Sequence, residues 1–547
     1  MDDGVSMIEV TQLSYTYPQR SNPALLDVDL HVDRAEMLLV AGRSGCGKST
    51  LLRAFNGLVP RFYGGHFAGR VVVDGLDTRK AEPGVMAGKA GLVFQEPEGR
   101  FVTCNVADEI AFGLEVAGLP SRVIRDRVDE ILDRFELGAL VNRPLERLSA
   151  GEQQRVAVAA ALARMPVVLL LDEPTSQLDS HSAGAVLEWV AELRGTLGLT
   201  AIVAEHRLER LLTAADRLVW LPDRPGGATV GEPTRLAACM PHGPALFEAA
   251  RRLGCPPPLA EPARELLRQQ IVSMESPVPI LPPSGRPLLA ARGLTFAYNG
   301  IPALQAAELE VHAGEMVAVL GRNGSGKTTL LRCLMGLLRA SSGEVWLAEE
   351  RIDSWPVPDR ARQMGYVPQW PSGLLFAESV REELLITLRN HGLEGHPPVQ
   401  PDSLLEELGL LRVADCYPRD LSAGERQRAA LAAVLVTRPK VILLDEPTLG
   451  IDPLAQAEIG GILRRWRAEG AAIVVATHDV EFAARYADRA AVLERGRVVR
   501  RGPTAETLFA HPELRTSLQR LTERARPASV DELPPARDEL GGGHAID

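Results

Sequence analysis

The sequence predicts an α/β fold that occurs twice in tandem, and two observations support this prediction. Short, continuous apolar runs alternate with segments of helical spacing, as expected where helices cover both faces of a parallel sheet. Three motifs also recur in the same order along the chain, which indicates a duplicated domain. The pairs are GRSGCGKST (42–50) and GRNGSGKTT (321–329), LSAGEQQR (148–155) and LSAGERQR (421–428), and LLLDEPT (169–175) and ILLDEPT (442–448).

The predicted strands fall at matching places in the two halves. MLLVAG at 37–42 and MVAVLG at 316–321 are apolar runs that lead into a glycine-rich loop, and helical spacing follows each loop. AIVAEH at 201–206 and AIVVATH at 472–478 have the continuous apolar character of further buried strands. Each half therefore contains the strand–loop–helix unit of a parallel α/β domain.

Proline content and polarity suggest the domain limits. We expect a first domain over 1–250, short helices and a linker over 251–287, a second domain over 288–515 and a tail over 516–547. The linker ends in SPVPILPPSGRP, whose five prolines predict an extended, semi-rigid connection. The tail is polar and rich in Pro, Gly and charge from about Arg524, so we expect disorder towards its end.

The composition argues against several functions. The chain has 60 basic and 71 acidic residues and a net charge of -11, which argues against a nucleic-acid-binding protein. No apolar run approaches the roughly 20 residues that span a bilayer, and the first residues, MDDGVSMIEV, lack a signal-peptide pattern. We therefore expect any role at a membrane to depend on a partner's membrane span. The six cysteines are scattered, which favours free thiols over a disulfide or metal framework.

Each glycine-rich loop is a predicted phosphate-binding site. The pattern G-x-x-x-x-G-K-[ST] between a strand and a helix lets backbone N–H groups surround phosphate oxygens at the positive end of the helix. The lysine of each loop can reach the β- and γ-phosphates of ATP, and the next hydroxyl, of Ser49 or Thr328, can bind Mg²⁺. The expected nucleotide-binding residues are Gly42, Ser44, Gly45, Gly47, Lys48, Ser49 and Thr50, and Gly321, Asn323, Gly324, Gly326, Lys327, Thr328 and Thr329.

A pair of carboxylates follows a buried strand in each half, Asp172-Glu173 and Asp445-Glu446. The aspartate is expected to hold the metal through its water shell, and the glutamate to act as general base towards the attacking water. The alternative is that such a carboxylate only caps a helix. The glycine-rich loop upstream favours the catalytic interpretation.

A histidine closes another buried strand in each half, His206 and His478, 33 and 32 residues after the glutamate. A lone histidine there is usually a structural residue, but the matched spacing favours contact with the γ-phosphate. Gln95 and Gln369 follow apolar strands and are predicted to bind the metal and its water.

Three further residues have two interpretations each. Tyr17 and Tyr298 precede the glycine-rich loops by 25 and 23 residues, where an aromatic ring can stack on adenine or pack the edge of a sheet. We favour stacking. Cys46 stands in the first loop where the second has Ser325, and we interpret it as a small residue that fits rather than a redox sensor.

With LSAGE, DEPT and the histidines in place, both halves resemble the ATP-binding-cassette (ABC) transporter ATPases. The resemblance implies two P-loop NTPase domains, each with a RecA-like core, a helical signature subdomain and an antiparallel β subdomain. It also implies ATP as substrate, Mg²⁺ as cofactor and head-to-tail pairing of the two halves. In that arrangement the signature residues Ser422 and Gly424 face the first glycine-rich loop, and Ser149 and Gly151 face the second.

The signature departs from the family's usual LSGGQ. Ala150 and Ala423 replace glycine, and Glu152 and Glu425 replace glutamine. We expect neither change to abolish phosphate binding. Since neither half lacks the glutamate or the histidine, we predict that both composite sites are competent.

The stretch FQEPEGRFVTCNVADEIAFGLEVAGL (94–119) is similar to the segment that follows this glutamine in energy-coupling-factor ATPases, although Arg100 and, in the second half, Leu374 replace a glutamine of that pattern. EHRLE at 205–209 and the two short helices after the first domain also resemble that group. The resemblance implies a polytopic membrane coupling subunit and a small membrane substrate-binding subunit as partners, uptake of vitamins or metal ions, and a peripheral position on the cytoplasmic face of the membrane.

The apolar residues beside these glutamines are Phe101, Val102, Leu375 and Phe376. They are either a docking surface for the membrane subunit or ordinary core.

Two alternatives remain open. A peptide or sugar importer ATPase has the same catalytic residues and differs only in its membrane partner. A ribosome-associated tandem ATPase is less favoured, because such proteins carry a long basic helical linker and RNA-binding basic stretches. The linker here is proline-rich and the chain is acidic.

Overall fold

The computed structural model shows α/β architecture in both halves of the chain. The residues that it describes are 6–18, 22–94, 101–176, 178, 180–206, 208, 211–212, 214–222, 226–239, 244–258, 261–274 and 285–534. The chain divides into two compact units, Met1–Met240 and Pro241–Asp547. The proline-rich stretch of the linker lies almost entirely outside the described residues.

In the first unit, ten strands and seven helices follow one another among the described residues. The strands are β1 (Ile8–Thr16), β2 (Leu25–Val32), β3 (Met37–Ala41), β4 (His66–Val73), β5 (Leu76–Asp77), β6 (Ala90–Val93), β7 (Val168–Asp172), β8 (Thr200–Ala204), β9 (Arg217–Trp220) and β10 (Thr229–Gly231). The helices are α1 (Lys48–Asn56), α2 (Pro83–Lys89), α3 (Val106–Val116), α4 (Ser121–Arg134), α5 (Ala150–Leu162), α6 (Ser180–Leu197) and α7 (Pro233–Cys239).

The second unit begins with two helices and then repeats this order. Its strands are β11 (Leu289–Tyr298), β12 (Ile301–Val311), β13 (Met316–Leu320), β14 (Ser342–Leu347), β15 (Glu350–Arg351), β16 (Met364–Val367), β17 (Val441–Asp445), β18 (Ala472–Thr477), β19 (Arg489–Glu494) and β20 (Arg497–Pro503). Its helices are α8 (Ala245–Leu253), α9 (Glu261–Ser273), α10 (Lys327–Met335), α11 (Val357–Ala361), α12 (Val380–Asn390), α13 (Pro401–Glu407), α14 (Ala423–Leu435), α15 (Pro453–Ala468), α16 (Val480–Tyr486), α17 (Thr504–Phe509) and α18 (Ser517–Thr522).

Each unit contains a six-stranded sheet that is parallel except at one edge. The strand orders are β10-β9-β3-β8-β7-β6 and β16-β17-β18-β13-β19-β20. The strands β3, β7 and β8, and their counterparts β13, β17 and β18, are buried along their whole length. This explains their continuous apolar sequences, because helices or a second sheet cover both faces.

A separate four-stranded sheet packs on each parallel sheet. The orders are β2-β1-β4-β5 and β12-β11-β14-β15, and the pairs are antiparallel. Helices α3, α4 and α5 in the first unit, and α12, α13 and α14 in the second, form the helical part that carries the LSAGE segment. The predicted fold class is confirmed in both units.

The parallel arrangement determines where the functional side chains lie. The carboxyl ends of β3, β7 and β8 meet at one edge, since Val40 pairs with Ala204 and Asp172 with Ala204 in neighbouring strands. In the second unit Leu320 and Asp445 likewise pair with the last residues of β18. In α/β sheets this edge is where ligands bind.

The C-terminal segment differs from the disorder expected from about Arg524. Leu518, Val530 and Leu533 are buried against α8 and α9, and Asp531 forms ion pairs with Arg464 and Arg485. This packing has no local sequence signal, because the two helices lie more than two hundred residues earlier in the chain. The end of the tail, 535–547, lies outside the described residues.

Candidate active sites

The glycine-rich loop of the first unit curls around the ammonium group of its own lysine. Lys48 is the first residue of α1, and its Nζ donates hydrogen bonds to the carbonyl oxygens of Gly42 at 2.9 Å and Arg43 at 3.0 Å. Gly47, before the helix, has a φ of 106°, and a Cβ there would lie 2.5 Å from the carbonyl oxygen of Ala24. Only glycine fits this position.

The metal-binding pair predicted for the first unit is assembled. The hydroxyl of Ser49 donates to Oδ1 of Asp172 at 2.9 Å, which places a hydroxyl and a carboxylate side by side at the start of α1 and the end of β7. Burial and the neighbouring Glu173 raise the pKa of Asp172 to about 6, although the Ser49 hydroxyl acts in the opposite direction. A cation at this position favours the ionised carboxylate further.

Glu173 and His206 meet beside the lysine. Nε2 of His206 lies 2.8 Å from Oε1 of Glu173 and 3.3 Å from Nζ of Lys48. The hydroxyl of Ser44 is 3.5 Å from the same ring nitrogen. The three side chains predicted to handle the γ-phosphate and its attacking water thus lie with Ser44 in one cluster.

The second unit builds the same cluster. Nζ of Lys327 donates to the carbonyl oxygens of Gly321 at 2.8 Å and Arg322 at 3.4 Å. The hydroxyl of Thr328 donates to Oδ1 of Asp445 at 3.1 Å. The hydroxyl of Tyr366 donates to the other oxygen of the same carboxylate at 3.3 Å, a contact for which the first unit has no equivalent, because Leu92 occupies that strand position.

Glu446 is held more closely than any other carboxylate of this cluster. Its Oε2 accepts from the hydroxyl of Thr477 at 3.2 Å and lies 2.9 Å from Nδ1 of His478, while its Oε1 lies 3.3 Å from Nζ of Lys327. Burial alone would raise its pKa, but the charges of His478 and Lys327 outweigh burial and lower the pKa to about 2. The carboxylate therefore stays ionised at neutral pH, but a pKa this low makes it a weaker proton acceptor than an ordinary glutamate.

Both glutamates have a strained backbone. The φ angle is 49° at Glu173 and 47° at Glu446, in the left-handed region that residues other than glycine seldom adopt. Such strain costs on the order of 1–3 kcal/mol and is concentrated at functional sites. The sequence carries no signal for it, since Asp-Glu-Pro at a strand end does not specify the sign of φ.

The signature serines begin the helices α5 and α14. Ser149 and Ser422 each accept the N3 backbone N–H, and Glu152 and Glu425 each reach back to the backbone N–H of the serine. These are complete capping boxes, and they explain the glutamate of LSAGE. The pattern S-x-x-E was visible in the sequence, so this role could have been predicted.

The remaining predicted residues are distributed as follows. Tyr17 packs edge-on against Tyr15 and Tyr63, and its hydroxyl accepts from Arg53. Tyr298 is exposed at the end of β11, where its ring is accessible to a base, and stacking on adenine stays a prediction for both tyrosines. Gln369 is half-buried just after β16, whereas Gln95 lies outside the described residues.

The apolar residues after the two glutamines separate into two kinds. Val102 is 63% exposed and Phe376 is 69% exposed, whereas Leu375 is only 4% exposed and belongs to the core. Phe101 is half-buried. Val102 and Phe376 therefore expose apolar surface at these positions, and core packing accounts for Leu375.

Two findings on the described residues concern metal binding and membrane insertion. No group of three His, Cys, Asp or Glu side chains within those residues could hold a metal ion. Mg²⁺ generally takes one or two protein ligands and fills its shell with waters and phosphate oxygens, so each hydroxyl–carboxylate pair fits it. None of the described helices is long and apolar enough to cross a membrane.

The chain matches known proteins along nearly its whole length. The family model described as ABC transporter matches residues 25–176 and 304–449. A protein of Streptomyces coelicolor whose name describes an ABC transporter ATP-binding protein is 41% identical over 540 residues, which cover 92% of this chain and 95% of the relative. A relative from Methanosarcina acetivorans with the same description is 36% identical and covers 93% of this chain and 88% of its own.

Proposed function

Because this chain belongs to the ABC transporter family, in which it is an ATP-hydrolysing ATP-binding subunit, we propose that it energises uptake through separate membrane subunits of the energy-coupling-factor type. The observation that carries the ATPase part is the repeated cluster. In each unit a P-loop lysine, a metal-site aspartate, a glutamate and a histidine lie at one edge of the sheet, as at Lys48, Asp172, Glu173 and His206.

The roles of these residues follow from their chemistry. Lys48 and Lys327 neutralise the β- and γ-phosphates of ATP, and His206 and His478 hold the γ-phosphate through a ring nitrogen. Glu173 and Glu446 accept a proton from the attacking water, which raises its nucleophilicity. Mg²⁺, when bound beside Asp172 or Asp445, neutralises charge on the phosphate oxygens.

We propose that each ATP completes its site with the signature of the other half. The serine and glycine of LSAGE begin helices α5 and α14, and a helix N-terminus attracts an anion such as the γ-phosphate. ATP binding then favours the closed state of the two halves, and hydrolysis removes the γ-phosphate that stabilises it.

The assignment to the energy-coupling-factor group rests on the segment 94–119 and on the exposed side chains beside it. Val102 and Phe376 occupy matching positions before α3 and α12 and expose apolar surface. We propose that they bind coupling helices of a polytopic membrane subunit, at the cytoplasmic face of the membrane. Residues 95–100 of the segment, and two residues of EHRLE, lie outside the described residues.

The test is purification of the full chain from membranes of cells that express it natively. We expect recovery of one polytopic membrane subunit and one small membrane substrate-binding protein. Recovery of two permease subunits with a peptide- or sugar-binding protein would assign the chain to another importer class. Recovery of ribosomes without membrane subunits would contradict the transporter assignment.

Matched variants locate the docking surface. Val102→Asp and Phe376→Asp place a charge in the proposed interface and are expected to reduce recovery of the membrane subunit about tenfold or more. Val85→Asp and Val499→Asp make the same change at other exposed valines and should leave recovery intact. Equal recovery with all four variants would remove Val102 and Phe376 from the interface.

A further inference from the structure

The residue before the active-site histidine differs between the two units. In the first unit β8 ends at Ala204 and is followed by Glu205 and His206, whereas β18 ends in Thr477, directly before His478. The two strands occupy the same place in their sheets. Glu205 is 2% exposed and Thr477 is fully buried, so neither is a surface substitution.

In the second unit this position holds the catalytic base. The hydroxyl of Thr477 donates to Oε2 of Glu446 at 3.2 Å, and the backbone N–H of His478 donates to the same oxygen at 3.3 Å. One hydroxyl and one backbone amide at the end of β18 thus donate hydrogen bonds to the carboxylate of Glu446.

In the first unit the side chain of Glu205 accepts the hydrogen bond at this strand end. The backbone N–H of His206 donates to Oε2 of Glu205 at 3.0 Å, so the amide that would correspond to the one holding Glu446 is already bonded. Glu173 instead meets the Nε2 atom of the His206 ring at 2.8 Å. Both bases lie against the histidine ring, Glu173 at Nε2 of His206 and Glu446 at Nδ1 of His478, but Glu446 also accepts from the amide whose counterpart in the first unit bonds to Glu205.

The second carboxylate oxygen of Glu205 binds Thr175, in the loop that follows Glu173. Its Oε1 accepts from the backbone N–H of Thr175 at 3.0 Å and also from the Thr175 hydroxyl. In the second unit the corresponding Thr448 is 1% exposed, and its Oγ1 is among the buried atoms that have no hydrogen-bond partner within the described part of the chain. The bridge from strand end to loop is therefore a feature of the first unit.

A buried carboxylate costs more free energy than a neutral side chain would in a purely structural bridge. Burial raises the pKa of Glu205, although the Thr175 hydrogen bond acts in the opposite direction, and Glu173 adds repulsion. A neutral threonine fills the same position in the second unit. A buried acid that faces another acid usually lowers stability unless its contacts compensate, which favours a functional role for Glu205.

We propose that Glu205 is a positioning residue that binds the His206 amide in place of Glu173 and thereby gives the two ATP sites unequal rates of hydrolysis. Glu446 has to leave a hydroxyl and an amide before it can approach water, whereas in the first unit the corresponding amide is bonded to Glu205. We expect the first site to be faster by a few-fold to about tenfold, the effect of one such hydrogen bond. This inference rests on the proposed roles of Glu173 and Glu446 as bases.

The test compares single-turnover ATP hydrolysis at each site of the full-length protein. In the Glu446→Gln protein only the first site keeps its glutamate, and in the Glu173→Gln protein only the second site does. Rapid-quench experiments measure the rate constant of hydrolysis in each. We expect a faster step in the Glu446→Gln protein. Adding Glu205→Thr to it should lower the rate constant to that of the second site with little change in the ATP concentration for half-saturation.

Two controls separate positioning from folding. Glu205→Gln keeps the shape and can still accept from Thr175, but its amide nitrogen cannot accept from the His206 amide; it should fold normally, as judged by thermal unfolding, and lower the rate to the same degree. Thr477→Val, in the Glu173→Gln background, removes the hydroxyl that holds Glu446 and should raise the rate of the second site.

The outcomes are distinguishable. If the Glu446→Gln rate is unchanged by both substitutions of Glu205, or if only the half-saturating ATP concentration changes, Glu205 does not position the base. If Glu173→Gln and Glu446→Gln both hydrolyse ATP at the wild-type rate, the assignment of the bases is wrong, and the proposed function rather than this inference has failed at that step.

Discussion

The two proposed ATP sites contain the same set of side chains but differ in the residues that form hydrogen bonds to them. Lysine, hydroxyl, aspartate, glutamate and histidine recur in both units, whereas their neighbours do not. The P-loop helix arginine bonds to Tyr17 in the first unit, through Arg53, and to Tyr366 in the second, through Arg332. Tyr366 in turn reaches the metal-site aspartate. Duplication has thus kept the reacting groups identical while the groups that orient them have diverged.

The difference has an electrostatic consequence. The first unit places three carboxyl groups, those of Asp172, Glu173 and Glu205, around one lysine and one histidine, and the pKa values of Asp172 and Glu205 are raised, chiefly by burial. In the second unit burial likewise raises the pKa of Asp445, but a threonine hydroxyl replaces the third carboxyl, and His478 and Lys327 lower the pKa of Glu446 to about 2 despite its burial. Identical motifs therefore do not imply identical sites.

The largest expected effect is loss of a base. The Glu173→Gln/Glu446→Gln protein should hydrolyse ATP about 100-fold or more slowly than the wild type in the steady state, since general-base catalysis contributes roughly 10²–10⁴, and each single variant should lose the contribution of its own site. The ATPase rate of purified protein checks this. Glu188→Gln, on α6 and away from the cluster, is the matched control. A wild-type rate in the double variant would mean that neither glutamate is a base.

Removal of a charge from the metal site should stabilise the first unit. Because folding raises the pKa of Asp172 from 3.8 to about 6, its ionised form costs up to about 3 kcal/mol at pH 7. Asp172→Asn avoids that cost and should raise the melting temperature without Mg²⁺ or nucleotide. The neutral form is favoured at low pH, so the gain should shrink as the pH falls from 7 towards 4. A gain that is constant with pH would rule out the titration of Asp172 as its cause.

The Tyr366 contact should matter only in the second site. Tyr366→Phe removes one hydrogen bond to a charged group, which is worth about 1.5–3 kcal/mol at most. In the Glu173→Gln background we expect the Mg²⁺ concentration for half-maximal hydrolysis to rise by several-fold. Leu92→Phe places the same side chain at the matching position of the first unit and should have no such effect there. A shift of equal size in both would show that the hydroxyl is not what orients Asp445.

The smallest expected effect concerns the signature helices. Glu152→Gln and Glu425→Gln keep the capping geometry but remove a negative charge from a helix N-terminus that we propose receives phosphate. Charge at such a position is worth about 0.3–1 kcal/mol, so ATP affinity should rise by about two- to fivefold. Equilibrium ATP binding measures this. Unchanged affinity in both variants would show that these glutamates do not face the nucleotide.

Much of the molecule could be predicted from its sequence, because its signals are local. Continuous apolar runs identified the strands β3, β7 and β8 and their counterparts, and the spacing of glycine, lysine and hydroxyl identified both P-loops. The geometry then brought Lys48, Glu173 and His206 together, although they lie up to 158 positions apart.

What the sequence could not reveal depends on distant neighbours. Whether Glu205 bonds to Thr175 depends on how β7 and β8 pair, and whether Tyr366 reaches Asp445 depends on the register of β16 and β17. Likewise, Leu375 and Phe376 are adjacent and both apolar, yet one is buried and the other exposed, because only the tertiary packing distinguishes them.

We propose that one chain forms two complete ATP sites even though different residues support the two sites. The most direct measurement is the number of ATP molecules retained per chain by the Glu173→Gln/Glu446→Gln protein after rapid removal of free nucleotide, with Mg²⁺ present. We predict two ATP molecules per chain, and one when either Lys48 or Lys327 is also replaced by alanine. Retention of a single ATP by the double variant would contradict the claim, because one unit would then not form a working site.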